Sequence, residues 1–206
     1  MTNLTINIAM ETINIFDYNV CRFKCHDETL YRTEKLIAGI DNLFNNSDLD
    51  DDLNNQMKHG ISTFGIEKYK LLEIDGIDLL IKWITSKILE SRSFFGYKDA
   101  IDVDISQAFT NKMWPGATGK VHNHTPTRHG VIVFYFQQPE NGSDLVLVKD
   151  SSIGVDLENI AEKDKHYLNV RQGDLIIHET SAWHGVSLHK GTSPRIVFIL
   201  EYKYVV

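Results

Sequence analysis

The sequence predicts a mainly β protein, a jelly roll with helices flanking it, on three observations. From residue 101 onward, apolar residues follow the short period of β-strands. Turn signals in that half recur often enough to mark eight strands in about a hundred residues, and eight is the number a jelly roll needs. Before residue 101, two stretches carry apolar residues at helical spacing, so their buried stripes need a sheet to pack on.

Taken in order, the first 25 residues alternate apolar and polar positions through Leu4, Ile6 and Ile8, then through Thr12-Ile13-Asn14-Ile15 and Val20-Cys21-Arg22-Phe23. One or two strands are expected there. Leu36, Ile37, Ile40 and Phe44 predict a helix between Glu28 and about Phe44. Asn45 to Asn55 is dense in Asn and Asp and reads as a solvated loop. Counted from Asp48 it lacks the glycine of a calcium-binding loop, and His59 stands where that loop needs Glu. A second helix is expected to be capped by Asp75, to bury Ile77, Leu80, Ile81, Ile84, Ile88 and Phe95, and to stop at Gly96. Strands follow at 101–113, 118–124, 130–138, 144–149, 166–171, 174–179, 183–188 and 195–204. Pro115-Gly116, Pro139-Glu140-Asn141-Gly142 and Gln172-Gly173-Asp174 separate them as turns.

With 206 residues, 42% hydrophobic and 24% charged, the chain suits one domain over 1–206, in which 1–100 braces a barrel formed by 101–206. A net charge of −7 gives no basic footprint for nucleic acid. No run approaches 18 apolar residues and no basic leader opens the chain, so neither a membrane span nor a signal peptide is expected. Cys21 and Cys25 are too few for a disulfide framework and read as reduced thiols of a cytoplasmic protein.

Chemistry concentrates in four residues. His122 and His124, two apart in a strand, point to the same side of the sheet and can reach one metal ion. His184, on a distant strand, can complete three ligands on one face and leave positions open for substrate and O₂. Arg195 follows eleven residues later and opens the apolar run Ile196 to Leu200. A guanidinium there should be buried, needs an anion, and has the fork that grips a carboxylate.

These pieces, in this order, resemble the iron(II)/2-oxoglutarate-dependent oxygenases, above all the small bacterial and phage members that carry His-x-His. The resemblance covers about residues 101–204. It rests on Trp114-Pro115-Gly116, His122-Asn123-His124, the strand Val131 to Phe136, Asn141-Gly142-Ser143-Asp144-Leu145-Val146-Leu147, Gly173 to Ile177, Trp183-His184-Gly185-Val186, and Arg195. It implies a double-stranded β-helix braced by the N-terminal helices. It also implies Fe(II) on His122, His124 and His184, with 2-oxoglutarate as co-substrate and its distal carboxylate on Arg195. The expected outcome is hydroxylation of an amino acid, a peptidyl residue or a small metabolite, with release of succinate and CO₂. No nucleic-acid or membrane partner is implied, and a homodimer is open to such a protein.

Further residues take expected roles beside these. Tyr135 is a candidate donor to the co-substrate carboxylate, His129 a candidate substrate contact, and His178 a pocket-wall or core histidine. Most of the superfamily has a carboxylate where His124 stands, which makes a ferrous site here one unit more positive. Asp174 and Glu179 are the nearest candidates for a displaced carboxylate ligand. Two alternatives stay open: a cupin-type three-His dioxygenase that uses no 2-oxoglutarate and gives Arg195 no task, and a metal- or sugar-binding jelly roll without turnover.

Overall fold

The computed structural model describes residues 10–46, 57–65, 71–124 and 126–206. The strand expected around Leu4 to Ile8 and the acidic stretch from Asp48 to Asn55 lie outside them.

Strands β1 (Glu11–Ile15) and β2 (Tyr18–Lys24) form a hairpin. Its two turn residues, Phe16 and Asp17, both have positive φ (52° and 66°), the twist that two-residue hairpins prefer. Helix α1 (Glu34–Asn46) begins later than the expected start at Glu28, because Glu28–Leu30 forms a 3₁₀ turn. Thr33 Oγ accepts the Leu36 amide at 3.3 Å and caps the helix that follows. Strand β3 (Met57–Ser62) comes next, then α2 (Asp78–Ser91). Asp75 does not cap α2 as expected; its carboxylate instead pairs with Lys35 at 2.9 Å. Gly96 does take the left-handed conformation (φ 85°) beyond the helix.

The remaining strands are β4 (Asp102–His122), β5 (Gly130–Gln137), β6 (Leu145–Val148), β7 (Lys165–Tyr167), β8 (Asp174–His178), β9 (His184–Val186) and β10 (Arg195–Val205). Hydrogen bonding runs β1-β2-β8-β5-β10-β4-β9-β6-β7, with β3 added beside β4. All pairs are antiparallel. The sequence expects two strands with a turn at Pro115-Gly116, and the structure makes them one bent strand. The first half of β4 pairs with β10 as far as Met113, then Gly116 bends the chain with φ 86°, and Gly119 and His122 pair with Val186 and His184 of β9. That bend turns one hydrogen-bonded ladder into two facing sheets, a double-stranded β-helix.

Alternation along the strands divides the core. Val131, Val133 and Tyr135 of β5, Ile176 of β8, and Val197 and Ile199 of β10 pack inside the barrel with Leu145 and Leu147 of β6. Their neighbours Ile132, Phe134, Phe136, Leu175, Ile177, Phe198 and Leu200 face the other way, onto Leu36 and Ile40 of α1 and Leu80, Ile84 and Ile88 of α2. Both faces of β5, β8 and β10 are thus covered, which is why these strands read as continuous apolar runs in the sequence. Both cysteines are buried and unbridged. Among the described residues no helix is long and apolar enough to cross a membrane.

Candidate metal centre

His122 ends β4 directly opposite His184, the first residue of β9. His124 lies two residues on, its backbone amide held by Thr180 O at 2.9 Å. The three rings converge: centroids are 4.4 Å apart for His122 and His184, 5.3 Å for His122 and His124, and 5.2 Å for His124 and His184. One ring nitrogen of each lies within 4.8 Å of the others, a spacing that one metal ion can bridge. Each Nδ1 has its own acceptor: Lys120 O at 3.0 Å for His122, Ala182 O at 2.9 Å for His184, and Glu201 Oε1 at 2.6 Å for His124. Acceptors there hold the ring proton on Nδ1 and leave the Nε2 lone pairs free for coordination.

Burial, reinforced by the neighbouring His124, pushes the pKa of His122 down to about 4, and burial lowers that of His184 well below the usual histidine value. Their neutral, ligating forms therefore prevail near pH 7. His178 is fully buried beside them, its ring 4.6 Å from that of His184, and burial lowers its pKa to about 3. Its Nδ1 bonds to Glu179 O at 2.8 Å, while Nε2 has no partner. An unfolded histidine titrates near 6.5, so as the pH falls the unfolded chain takes up protons before the folded one. Stability from these groups is complete above about pH 6.5, and in metal-free protein it should fall as the pH drops from there toward 4. A urea midpoint that stays constant across that range would contradict this.

Arg195 is 1% exposed, and no carboxylate pairs with it among the described residues. Nη1 lies 3.2 Å from Met113 Sδ, and the guanidinium sits 5.1 Å from the centre of the Tyr135 ring. Arg195 Nε and the Tyr135 hydroxyl are both buried without a hydrogen-bond partner. Burial pushes the Tyr135 phenol up to about 12, against the opposing pull of Arg195, so it keeps its proton. A buried cation with no carboxylate partner among the described residues, beside a buried phenol, makes a cradle for an anion.

Neither expected carboxylate reaches the triad. Asp174 accepts the Arg171 amide at 2.7 Å and the Lys24 amine at 3.1 Å, closing the turn at Gly173. Glu179 is taken by Asn19, at 2.9 Å from Nδ2. His129 stacks on Tyr97 at 4.5 Å and accepts the Tyr204 amide at 2.8 Å, so it is already engaged outside the cavity lining.

A cavity of about 260 Å³ opens beside His122 and His124. One wall comes from β4, where Gln107, Phe109 and Asn111 alternate inward. Another comes from β3 and the turn after it, through Met57, Ser62 and Phe64, with Phe64 packed edge-on to Phe109 at 5.0 Å. Glu201 completes it. The sequence reading missed β3 and Glu201. Strand β3 has no clean alternation, turns through positive φ at His59 (56°), and slips register there against β4. Glu201 did carry a signal, since it shares the inward parity of Arg195, Val197 and Ile199.

No protein-family profile matches the sequence, and no curated protein matches it. Solved structures do resemble the fold. A prolyl-4-hydroxylase from Pseudomonas putida superposes with a TM-score of 0.57, at 12% identity over 91% of this chain and 93% of its own. SnoN, a non-heme α-ketoglutarate-dependent epimerase of nogalamycin biosynthesis, gives 0.60 at 9% identity over 90% of this chain and 76% of its own. HygX from Streptomyces hygroscopicus, solved with nickel, 2-oxoglutarate and hygromycin B bound, gives 0.55 at 10% identity, covering 90% and 83%. Built as a bent β4 shared by two sheets, with a three-histidine group at their junction, this chain has the double-stranded β-helix fold of the 2-oxoglutarate/iron(II) oxygenases.

Proposed function

We propose that the protein is an iron(II)/2-oxoglutarate-dependent dioxygenase that hydroxylates a small molecule or a peptidyl residue. The observation that carries this reading is Arg195: a guanidinium enclosed in the barrel, with no anion among the described residues, beside an unpartnered Tyr135 hydroxyl. His122, His124 and His184 fit the metal, since each presents an imidazole anchored through Nδ1. Arg195 and Tyr135 fit the distal carboxylate, through a charged donor and a neutral one. When bound, iron(II) and 2-oxoglutarate supply O₂ activation, driven by oxidative decarboxylation to succinate and CO₂. The protein's share is orientation and exclusion of water: the fork at Arg195 fixes the co-substrate, and the apolar barrel interior keeps solvent from it.

The cavity narrows the substrate. Among the described residues its lining holds no Lys or Arg, and the one carboxylate is that of Glu201. Gln107, Asn111 and Asn123 offer carboxamides, and the Asn111 Oδ1 is buried without a donor. Such a lining receives an uncharged or cationic molecule with amide or hydroxyl groups and repels an anionic one. The two unbridged thiols support a cytoplasmic setting.

Anaerobic titration of the apoprotein with Fe(II) and 2-oxoglutarate tests the reading, with the visible charge-transfer band of the chelate as the expected result. Arg195→Lys keeps the charge and loses the fork, and should raise the 2-oxoglutarate concentration needed for that band about tenfold or more while leaving Fe(II) content unchanged. Wild-type protein that binds Fe(II) but neither forms the band nor releases succinate across a substrate screen would favour the three-His cupin reading.

A further inference from the structure

Residue 124 is a histidine where a carboxylate ligates in most sites of this pattern, and a carboxylate stands one hydrogen bond behind it. Glu201 Oε1 lies 2.6 Å from His124 Nδ1, and the two side chains are only 8% and 10% exposed. The other two histidines rest their Nδ1 on backbone carbonyls, which are neutral. Only His124 rests on a charge, so the contact is specific to the position where the inner carboxylate is missing.

Local structure aims Glu201 there. Along β10 the side chains of Arg195, Val197, Ile199 and Glu201 fall on the barrel's inner face, and at Glu201 the pairing with β4 slips by one residue. The extra residue, Ser106, donates its hydroxyl to Glu201 O at 3.0 Å and holds the bulge. Bulges of this kind re-aim a side chain beside a site. The second oxygen, Oε2, lies 3.8 Å from Arg128 Nε, a buried atom without a hydrogen-bond partner on a side chain that is 27% exposed. At 3.8 Å Arg128 makes no hydrogen bond to the carboxylate, whereas the 2.6 Å contact couples it directly to the imidazole.

We propose that Glu201 is a positioning residue of the metal centre. It fixes the His124 ring with its proton on Nδ1, and through that ring it returns to the site the negative charge that an inner-sphere carboxylate supplies elsewhere. This rests on the three-histidine site proposed above. Carboxylate–histidine–metal arrangements raise the donor strength of the ring, and loss of the outer partner weakens metal binding about 10- to 100-fold.

The test is anaerobic calorimetric titration with Fe(II) alone on wild type, Glu201→Gln and Glu201→Ala, with circular dichroism as the check on folding. Ala should lose about 10- to 100-fold in affinity. Gln keeps the size and an acceptor oxygen but carries no charge, so it should fall between Ala and wild type and fold where Ala does not. The reduction potential of bound iron should be more positive in the Gln variant than in wild type, a change that a merely structural contact would not produce. Wild type that binds Fe(II), with Gln and Ala variants equal to it in affinity and potential, would overturn the role of Glu201 alone. Wild type that binds no Fe(II) would overturn the metal site, and this proposal with it.

Discussion

Purified wild-type protein should carry close to one iron per chain, and His122→Ala, His124→Ala or His184→Ala should each carry almost none. The three rings stand within 4.4–5.3 Å of one another and share no fourth acidic or histidine ligand atom at bridging distance among the described residues. Loss of one leaves two imidazoles and a methyl-lined gap. A two-nitrogen site competes poorly with water for a divalent ion, and the effect should outweigh any change outside the coordination sphere. His178→Ala is the informative control. Its ring is as close to His184 as the ligands are, but its Nε2 is not one of the converging atoms, so metal content should stay near that of wild type. Direct metal analysis settles both. Equal iron in wild type and all three triad variants would remove the site from consideration.

The second large effect lies on the opposite face of the sheet. Ile84 is fully enclosed between α2 and the strands, in a cluster with Leu80, Ile88, Phe134 and Phe198. Trp83 meets Phe134 edge-on at 6.2 Å, and the Tyr204 hydroxyl donates to Ile88 O at 3.2 Å, so the helix is tied to the sheet by more than one kind of contact. Ile84→Asp puts an unpaired carboxylate there and should cost about 3–5 kcal/mol. We propose that helices and barrel unfold as one domain, and then a single transition moves to lower temperature. A barrel that melts at the wild-type temperature in this variant would show that α2 belongs to a separate unit.

What the sequence disclosed followed from periodicity and from local chemistry. Strands β5, β8 and β10 were legible because enclosure on both faces leaves unbroken apolar runs bounded by glycine turns. The stripe of α2 was legible because Leu80, Ile84 and Ile88 keep helical spacing. Its start was not, since Asp75 answers to Lys35, a partner 40 residues away that no local rule can see. Strand β3 was hidden for the same kind of reason: it is held by β4, while its own sequence, broken at His59 and Gly60, shows no alternation. The triad was readable because His-x-His is a local spacing, although β4 stops at His122 and the Thr180 carbonyl, 56 residues on, holds His124 beyond it. Glu201 was passed over because it sits at the end of an apolar run and its partner is 77 residues away, although parity with Arg195 already turned it inward. For the same reason Asp174 and Glu179, nearer in sequence to His184, were the wrong places to seek a carboxylate.

His122 and His184 are direct cross-strand partners, the terminal rung of the β4–β9 ladder. An ion held between them would act as a clasp, closing the whole chain segment from β5 to β9 into a loop in the way a disulfide closes one. β9 is three residues long and β7 likewise, too short to hold their edge of the barrel firmly on backbone bonding alone. Occupancy of the clasp should therefore be felt as slower amide exchange along β6, β7 and β9, while β5 and β8, already enclosed beneath the helices, exchange at the same rate with or without it.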